Sequence, residues 1–336
     1  MLYLPAPNAK LMSIVLQKKR SRIGSRLLRV FIIIFILINV IAAFHAYRFT
    51  HFDNTKAKNK KSFKNSITTK ATNILFGVDN PRPENKAKPS RPYEVIRLHS
   101  NKEIEAWFIH ADNPKGTVML FHGYGSEKSA MLDKSEEFLR MGYNTFLVDF
   151  MGAGNSEGNQ TTIGYREGKE VKTCYDFLRK KGEQNIILYG TSMGAVAILK
   201  AINDYHLQPH SIIIQSPFGS LYQTVCARFN MLHIPSFPMA GLLVFWGGVE
   251  NGFWAFGHSP EKYATKVTCP SLLMYGEQDI KVSRQEIDAI YKNLPINKVL
   301  KTFPLGGHEN LLKYKVDWEN SVSSFLNKYD QDLVER

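Results

Sequence analysis

Cysteine is scarce in this chain. Its three residues, Cys174, Cys226 and Cys269, have neither the spacing of a metal centre nor the density of a disulfide framework. Cys174, inside a helical pattern, reads as a small core residue. Acidic residues are nearly missing from the N-terminal part, where positions 1–100 hold 19 Lys/Arg against 4 Asp/Glu. The rest of the chain holds 24 basic and 26 acidic residues, so the formal net charge of +13 belongs to an arm and not to the body. A near-neutral body excludes the basic face of a nucleic-acid-binding domain, whereas a basic arm beside an apolar segment fits an anionic lipid surface. There is no internal repeat, which excludes a repeat array.

That apolar segment runs over 30–44 and is interrupted only by Asn39. As a helix it reaches about 22 Å, short of a hydrocarbon core of roughly 30 Å. Extended over 27–47 it reaches about 31 Å, taking in Arg29 and His45 near its ends, where Arg29 can snorkel. We read residues 1–26 as a basic N-terminal segment, 27–47 as a single-pass transmembrane anchor and 48–92 as a basic, proline-containing tether with a short helix around 66–76. A cleaved leader is the rival reading. Cuts after Ala43 or Ala46 would place Ile41 or Phe44 at the −3 position, where small residues are expected. Charge close to the apolar run is denser before it (Lys18, Lys19, Arg20, Arg22, Arg26, Arg29), which favours a cytoplasmic N-terminus and a body on the extracytoplasmic side. On this reading, deleting residues 1–48 releases a soluble, active body.

From Tyr93 the pattern changes. Short apolar runs at 93–98, 104–110, 117–121, 143–149, 185–189, 211–215, 271–275 and 298–303 read as strands. The first two look like an antiparallel pair; later runs are apolar throughout, as strands buried on both faces are. Helical stretches at 127–140, 165–180, 193–202, 284–292 and 317–327 alternate with them, which predicts an α/β fold with a mostly parallel eight-stranded sheet flanked by helices. The interval 217–268 breaks the rhythm and carries Phe218, Trp246, Phe253, Trp254 and Phe256. It reads as a cap inserted after the sixth strand, at the sheet edge where ligands bind.

The chemistry is written in four short stretches. Gly190-Thr191-Ser192-Met193-Gly194 follows an apolar strand and opens a helix, the setting of a strained turn that presents a serine hydroxyl. A serine needs a base with a pKa near working pH, and His308, in a Gly306-Gly307-His308 turn between the last strand and the last helix, is placed to be it. An acid must hold the imidazole. Asp279 stands at the end of the seventh strand, and Glu277 is the weaker alternative. The backbone N–H groups of Tyr124, in a His122-Gly123-Tyr124-Gly125 loop after the third strand, and of Met193 are the candidate oxyanion donors. His122 reads as a residue that positions its loop.

With these stretches the chain resembles the α/β-hydrolase superfamily over about residues 93–330, in the manner of small membrane-anchored serine esterases, lipases, thioesterases and serine-aminopeptidase-like enzymes. The order Ser192, Asp279, His308 is the order of that superfamily. Residues 149–156 resemble its D-x-R-G-x-G-x-S loop with Met151 in place of arginine, so that loop is assigned no polar substrate contact. The resemblance implies an acyl-enzyme mechanism with no metal and no organic cofactor, acting on a small-molecule or lipid-like acyl ester or thioester, with membrane lipid met through the anchor and no nucleic-acid partner. Two alternatives stand beside it: a peptidase or amidase, for which Glu250 in the cap is the acidic candidate to bind an amine, and a non-catalytic membrane adaptor.

Overall fold

Strands β1 (Tyr93–His99), β2 (Glu103–Ile109), β3 (Thr117–Phe121), β4 (Asn144–Val148), β5 (Ile186–Thr191), β6 (Ser211–Gln215), β7 (Ser271–Gly276) and β8 (Lys298–Phe303) form one sheet in the order β1-β2-β4-β3-β5-β6-β7-β8. The β1–β2 and β2–β4 pairs are antiparallel and every pair from β4 to β8 is parallel. The computed structural model describes residues 9–54, 77, 80–308 and 310–334. The helix expected around 66–76 lies outside the described residues.

The helices are α1 (Ala9–Thr50), α2 (Leu132–Arg140), α3 (Glu167–Lys180), α4 (Met193–Tyr205), α5 (Leu221–Met231), α6 (Met239–Asn251), α7 (Pro260–Tyr263), α8 (Arg284–Asn293) and α9 (Lys315–Val334). Central strands β3, β4, β6 and β7 are buried at every position, which is why they read as unbroken apolar runs. One core packs α3, α4 and α8 on one sheet face, through Val171, Leu178, Ile198 and Ile287 among others. The opposite core packs α2 and α9 through Phe138, Trp318 and Phe325. Cys174 is buried in the first core, and all three cysteines are free thiols.

The stretch 216–268 has no strand; it consists of α5, α6, α7 and short 3₁₀ turns. His258 ties its returning end to the body. Its Nε2–H donates to the Ile163 carbonyl at 3.0 Å and its Nδ1 lies 3.2 Å from the Tyr263 hydroxyl. Burial pushes its pKa down to about 4. The folded protein therefore refuses a proton that the unfolded chain accepts below about pH 6.5. Stability is expected to fall as pH drops from about 6.5 to 4, by up to about 3 kcal/mol from this group. Thermal melts in detergent across that range check it. If His258→Gln shows the wild-type slope, His258 contributes nothing to it.

The N-terminal arm differs from a simple anchor and tether. Helix α1 continues to Thr50, past the expected end at 47. From Leu27 to Leu37 its apolar side chains are exposed, yet Ala42, Ala46 and Thr50 are buried because this part packs on α6 of the cap. Trp246 of α6 donates through Nε1 to Asn39 Oδ1 at 3.1 Å, and the Asn39 amide donates to the Phe35 carbonyl at 2.9 Å. Asn39 is thus the one polar break in the run because it meets a polar partner. Nor is the described end of the expected tether free. His51 bridges to Gln160, Asp53 bridges to Pro81, and the Arg82 guanidinium donates to the carbonyls of Gly154, Ser156 and Gly158. Proline fixes the path of residues 80–92 against the body instead of making a spacer of them.

Candidate active site

The turn after β5 brings Ser192 into a backbone region that L-residues avoid, with φ of 51° and ψ of −113°. Such a conformation costs roughly 1–3 kcal/mol and persists only where surroundings impose it. Here the Ser192 N–H is held by the Gln215 carbonyl at 2.8 Å and the Ser192 carbonyl accepts the Val196 N–H at 3.1 Å. The two flanking glycines are required for close approach. A Cβ on Gly190 would lie 2.5 Å from the Ala195 nitrogen, and one on Gly194 would lie 2.3 Å from the Phe121 carbonyl oxygen.

Three expected residues, distant in sequence, meet at this turn. His308 Nε2 lies 3.0 Å from Ser192 Oγ, and His308 Nδ1 lies 2.7 Å from Asp279 Oδ2. A carboxylate can only accept, so Nδ1 carries the proton and Nε2 faces the serine as an acceptor. The Asp279 side chain is fully buried, and its other oxygen accepts the N–H groups of Lys281 (2.8 Å) and Val282 (3.0 Å). The acid and histidine loops are joined through backbone bonds, Glu277 N–H to Phe303 O and Gln278 N–H to Gly306 O. Glu277, the alternative acid, is exposed and outside this chain of contacts.

Met193 opens α4, so its N–H has no acceptor within the helix. The loop bearing Tyr124 passes beside it: a Cβ on Gly123 would lie 3.6 Å from the Ser192 Cβ. His122 fixes this loop from within the core. Its Nδ1–H donates to the Gly123 carbonyl at 2.8 Å, and its Nε2 accepts the Phe150 N–H at 3.1 Å. Burial pushes its pKa down, keeping it neutral for that double role. The Tyr124 ring stacks on Phe49 at 4.7 Å, and its hydroxyl donates to the Phe49 carbonyl at 2.7 Å. The end of α1 therefore braces Tyr124, one residue along from the Gly123 that lies beside the serine.

Asp149 holds the adjoining loop. Burial alone would raise its pKa, but the Lys128 ammonium lowers it. Lys128 Nζ reaches both Asp149 and Glu105, and the N–H of Asn155 donates to Asp149 at 2.9 Å. Met151 is buried, and its N–H donates to Glu170. The side chain that replaces the arginine thus belongs to the core.

A pocket of about 310 Å³ opens on Ser192 and His308, lined also by Tyr124, Lys134, Arg228 and Lys281. Glu250, weighed as an amine ligand, lies elsewhere, beside Asn39 and Tyr47 of α1. Arg228 has no counterpart among the expected site residues. The signal for it is plain in retrospect, since it is the sole Asp, Glu, Lys or Arg between 217 and 249. Among the described residues no group of histidine, cysteine and carboxylate side chains is arranged to hold a metal ion.

The sheet order, with the Ser192 turn after β5, Asp279 after β7 and His308 after β8, is that of the α/β-hydrolase fold. The chain thus shares its fold with the α/β hydrolases. The family described as serine aminopeptidase, S33, matches residues 112–244, a span from the start of the parallel sheet into the cap. The uncharacterized protein YqkD of Bacillus subtilis is 23% identical over 238 residues, covering 69% of this chain and 78% of that protein. The uncharacterized membrane protein YNL320W of Saccharomyces cerevisiae is 23% identical over 235 residues, 68% of this chain and 78% of that protein. Among solved structures, the Pyrococcus furiosus esterase Pf2001 superposes with a TM-score of 0.62 at 22% identity, covering 75% of this chain and all of that one.

Proposed function

We propose that this protein is a membrane-anchored serine hydrolase that cleaves an acyl ester or thioester. The observation that carries the reading is the Ser192–His308–Asp279 relay, with contacts of 3.0 and 2.7 Å, at the floor of an open pocket. Ser192 Oγ attacks the acyl carbonyl as His308 Nε2 takes its proton. Asp279 stabilises the resulting imidazolium. The oxyanion rests on the N–H groups of Met193 and Tyr124. His308 returns the proton to the leaving group, and water then releases the acyl group by the reverse sequence, with no cofactor taking part.

An ester fits this pocket better than an aminoacyl amide. An amine terminus calls for a carboxylate ligand, and among the described residues no Asp or Glu lines the pocket. Anchoring rests on α1, in which 24–50 are long and apolar enough to cross a bilayer. Phe245 and Val249 of α6 are exposed on the helix that packs against α1, so an apolar surface adjoins the anchor. The density of positive charge before the apolar run supports an extracytoplasmic catalytic body.

A fluorophosphonate probe tests the reading, because it labels only an activated serine. Membranes carrying the wild-type chain are expected to label, and Ser192→Ala is expected to abolish the signal. Folded wild-type protein that stays unlabelled would leave the fold without this chemistry and favour an adaptor.

A further inference from the structure

The pocket beside Ser192 is electrically one-sided. Lys134, Arg228 and Lys281 line it, and among the described residues no carboxylate does. Asp279 stands behind His308 with both oxygens engaged. The Lys134 ammonium has Asp133 Oδ1 at 3.4 Å. Arg228 is different. It projects from α5 of the cap, is half-buried, and has no carboxylate within ion-pair distance among the described residues. It also lines a second cavity of about 150 Å³, whose wall includes Ala46 and Phe49 of α1 with Val225 and Val244 of the cap. Arg228 thus lies between an apolar chamber and the pocket that opens on the serine. Burial pushes its pKa down, countered by nearby Tyr124 and Asp279.

A guanidinium remains charged under such conditions, and partial removal from water without a counter-ion is unfavourable. The cap is otherwise devoid of charge from 217 to 249, so this one cation is not a sample of a solvated surface. An incoming anion offsets the lost hydration, and a planar fork suits a carboxylate or a phosphate.

We propose that Arg228, with Lys134 and Lys281 nearby, forms an anion subsite, and that the substrate is an acyl ester bearing a carboxylate or phosphate close to the scissile carbonyl. This rests on the serine-hydrolase reading above. The anion belongs either to the acyl group or to the leaving group, and matched ester pairs separate the two. Phenyl valerate and its ω-carboxylate analogue differ by an anion on the acyl side. 1-Butyrylglycerol and its 3-phosphate differ by one on the leaving-group side.

With the full chain in detergent, kcat/KM is expected to favour the anionic member of one pair by roughly 10–100-fold, the range of a charge-assisted hydrogen bond. Arg228→Gln is expected to remove that preference, and Arg228→Lys to restore part of it. Fluorophosphonate labelling of Ser192 is measured on each variant as a check on the folded site. Labelled wild-type protein with no preference for either anion would overturn the subsite and leave the hydrolase reading standing. A preference undiminished in labelled Arg228→Gln would overturn the assignment to Arg228. Absence of labelling in folded wild type would remove the hydrolase reading and this inference with it.

Discussion

Replacing Ser192 with alanine is expected to lower kcat for ester hydrolysis by roughly 10⁴–10⁶-fold, with KM little changed. His308→Ala should be comparably damaging, and the double variant scarcely worse, because serine and histidine act on one proton as a unit. Asp279→Asn should cost about 10⁴-fold. The Asp279 carboxylate fixes the proton on His308 Nδ1, and an amide in its place can offer an N–H there and turn the wrong nitrogen toward the serine. Single-turnover kinetics with an activated phenyl ester separate these effects from binding. Hydrolysis by Ser192→Ala within tenfold of wild type would mean that another group carries the reaction.

Cutting the chain at residue 48 is expected to give an aggregated protein, or a soluble one with kcat/KM reduced by about 100-fold. A free tether would predict a soluble and fully active body. The difference lies in the second half of α1, where Ala42 and Ala46 are buried against the cap and Asn39 accepts the Trp246 indole N–H. Without them α6 presents an apolar face to water, and such faces associate. Phe49 would be left at a frayed end, so Tyr124 would lose a stacked ring and an acceptor beside the proposed oxyanion site. Loss of one oxyanion donor typically costs about 10²–10³-fold in kcat. Size-exclusion chromatography with fluorophosphonate labelling of the truncated chain decides the matter. A monodisperse product that labels at the wild-type rate would show the helix–cap contact to be dispensable.

The serine turn was legible because its requirement is local: a strand, two glycines where Cβ atoms would collide, and a helix. Asp279 and His308 were legible because each lies in the loop that follows a strand of a parallel sheet whose apolar runs can be counted. The cap helices were not. α6 is apolar around much of its circumference, since one part meets α5 and the turn at 255–257 and another meets α1, so no 3.6-residue period stands out. The same contact explains why the arm read as a detachable anchor: hydrophobicity that serves a bilayer and hydrophobicity that serves a protein neighbour look alike in one dimension. The Lys128–Asp149 pair was equally hidden, as a sequence does not reveal which charges are taken out of water. Arg228 was visible as a lone charge, but its place beside Ser192 depends on how α5 folds back over the sheet.

On the proposed orientation, the unbroken course of α1 to Thr50, with Tyr124 tied to Phe49 one residue before its end, has a mechanical meaning. With α1 as the proposed anchor, the proposed catalytic centre would stand at a set height above the bilayer, as on a post and not on a leash. Molecules partitioned into the adjacent leaflet would meet it at a local density fixed by their mole fraction in the lipid. Turnover would then scale with surface dilution, and diluting the surrounding water would matter little.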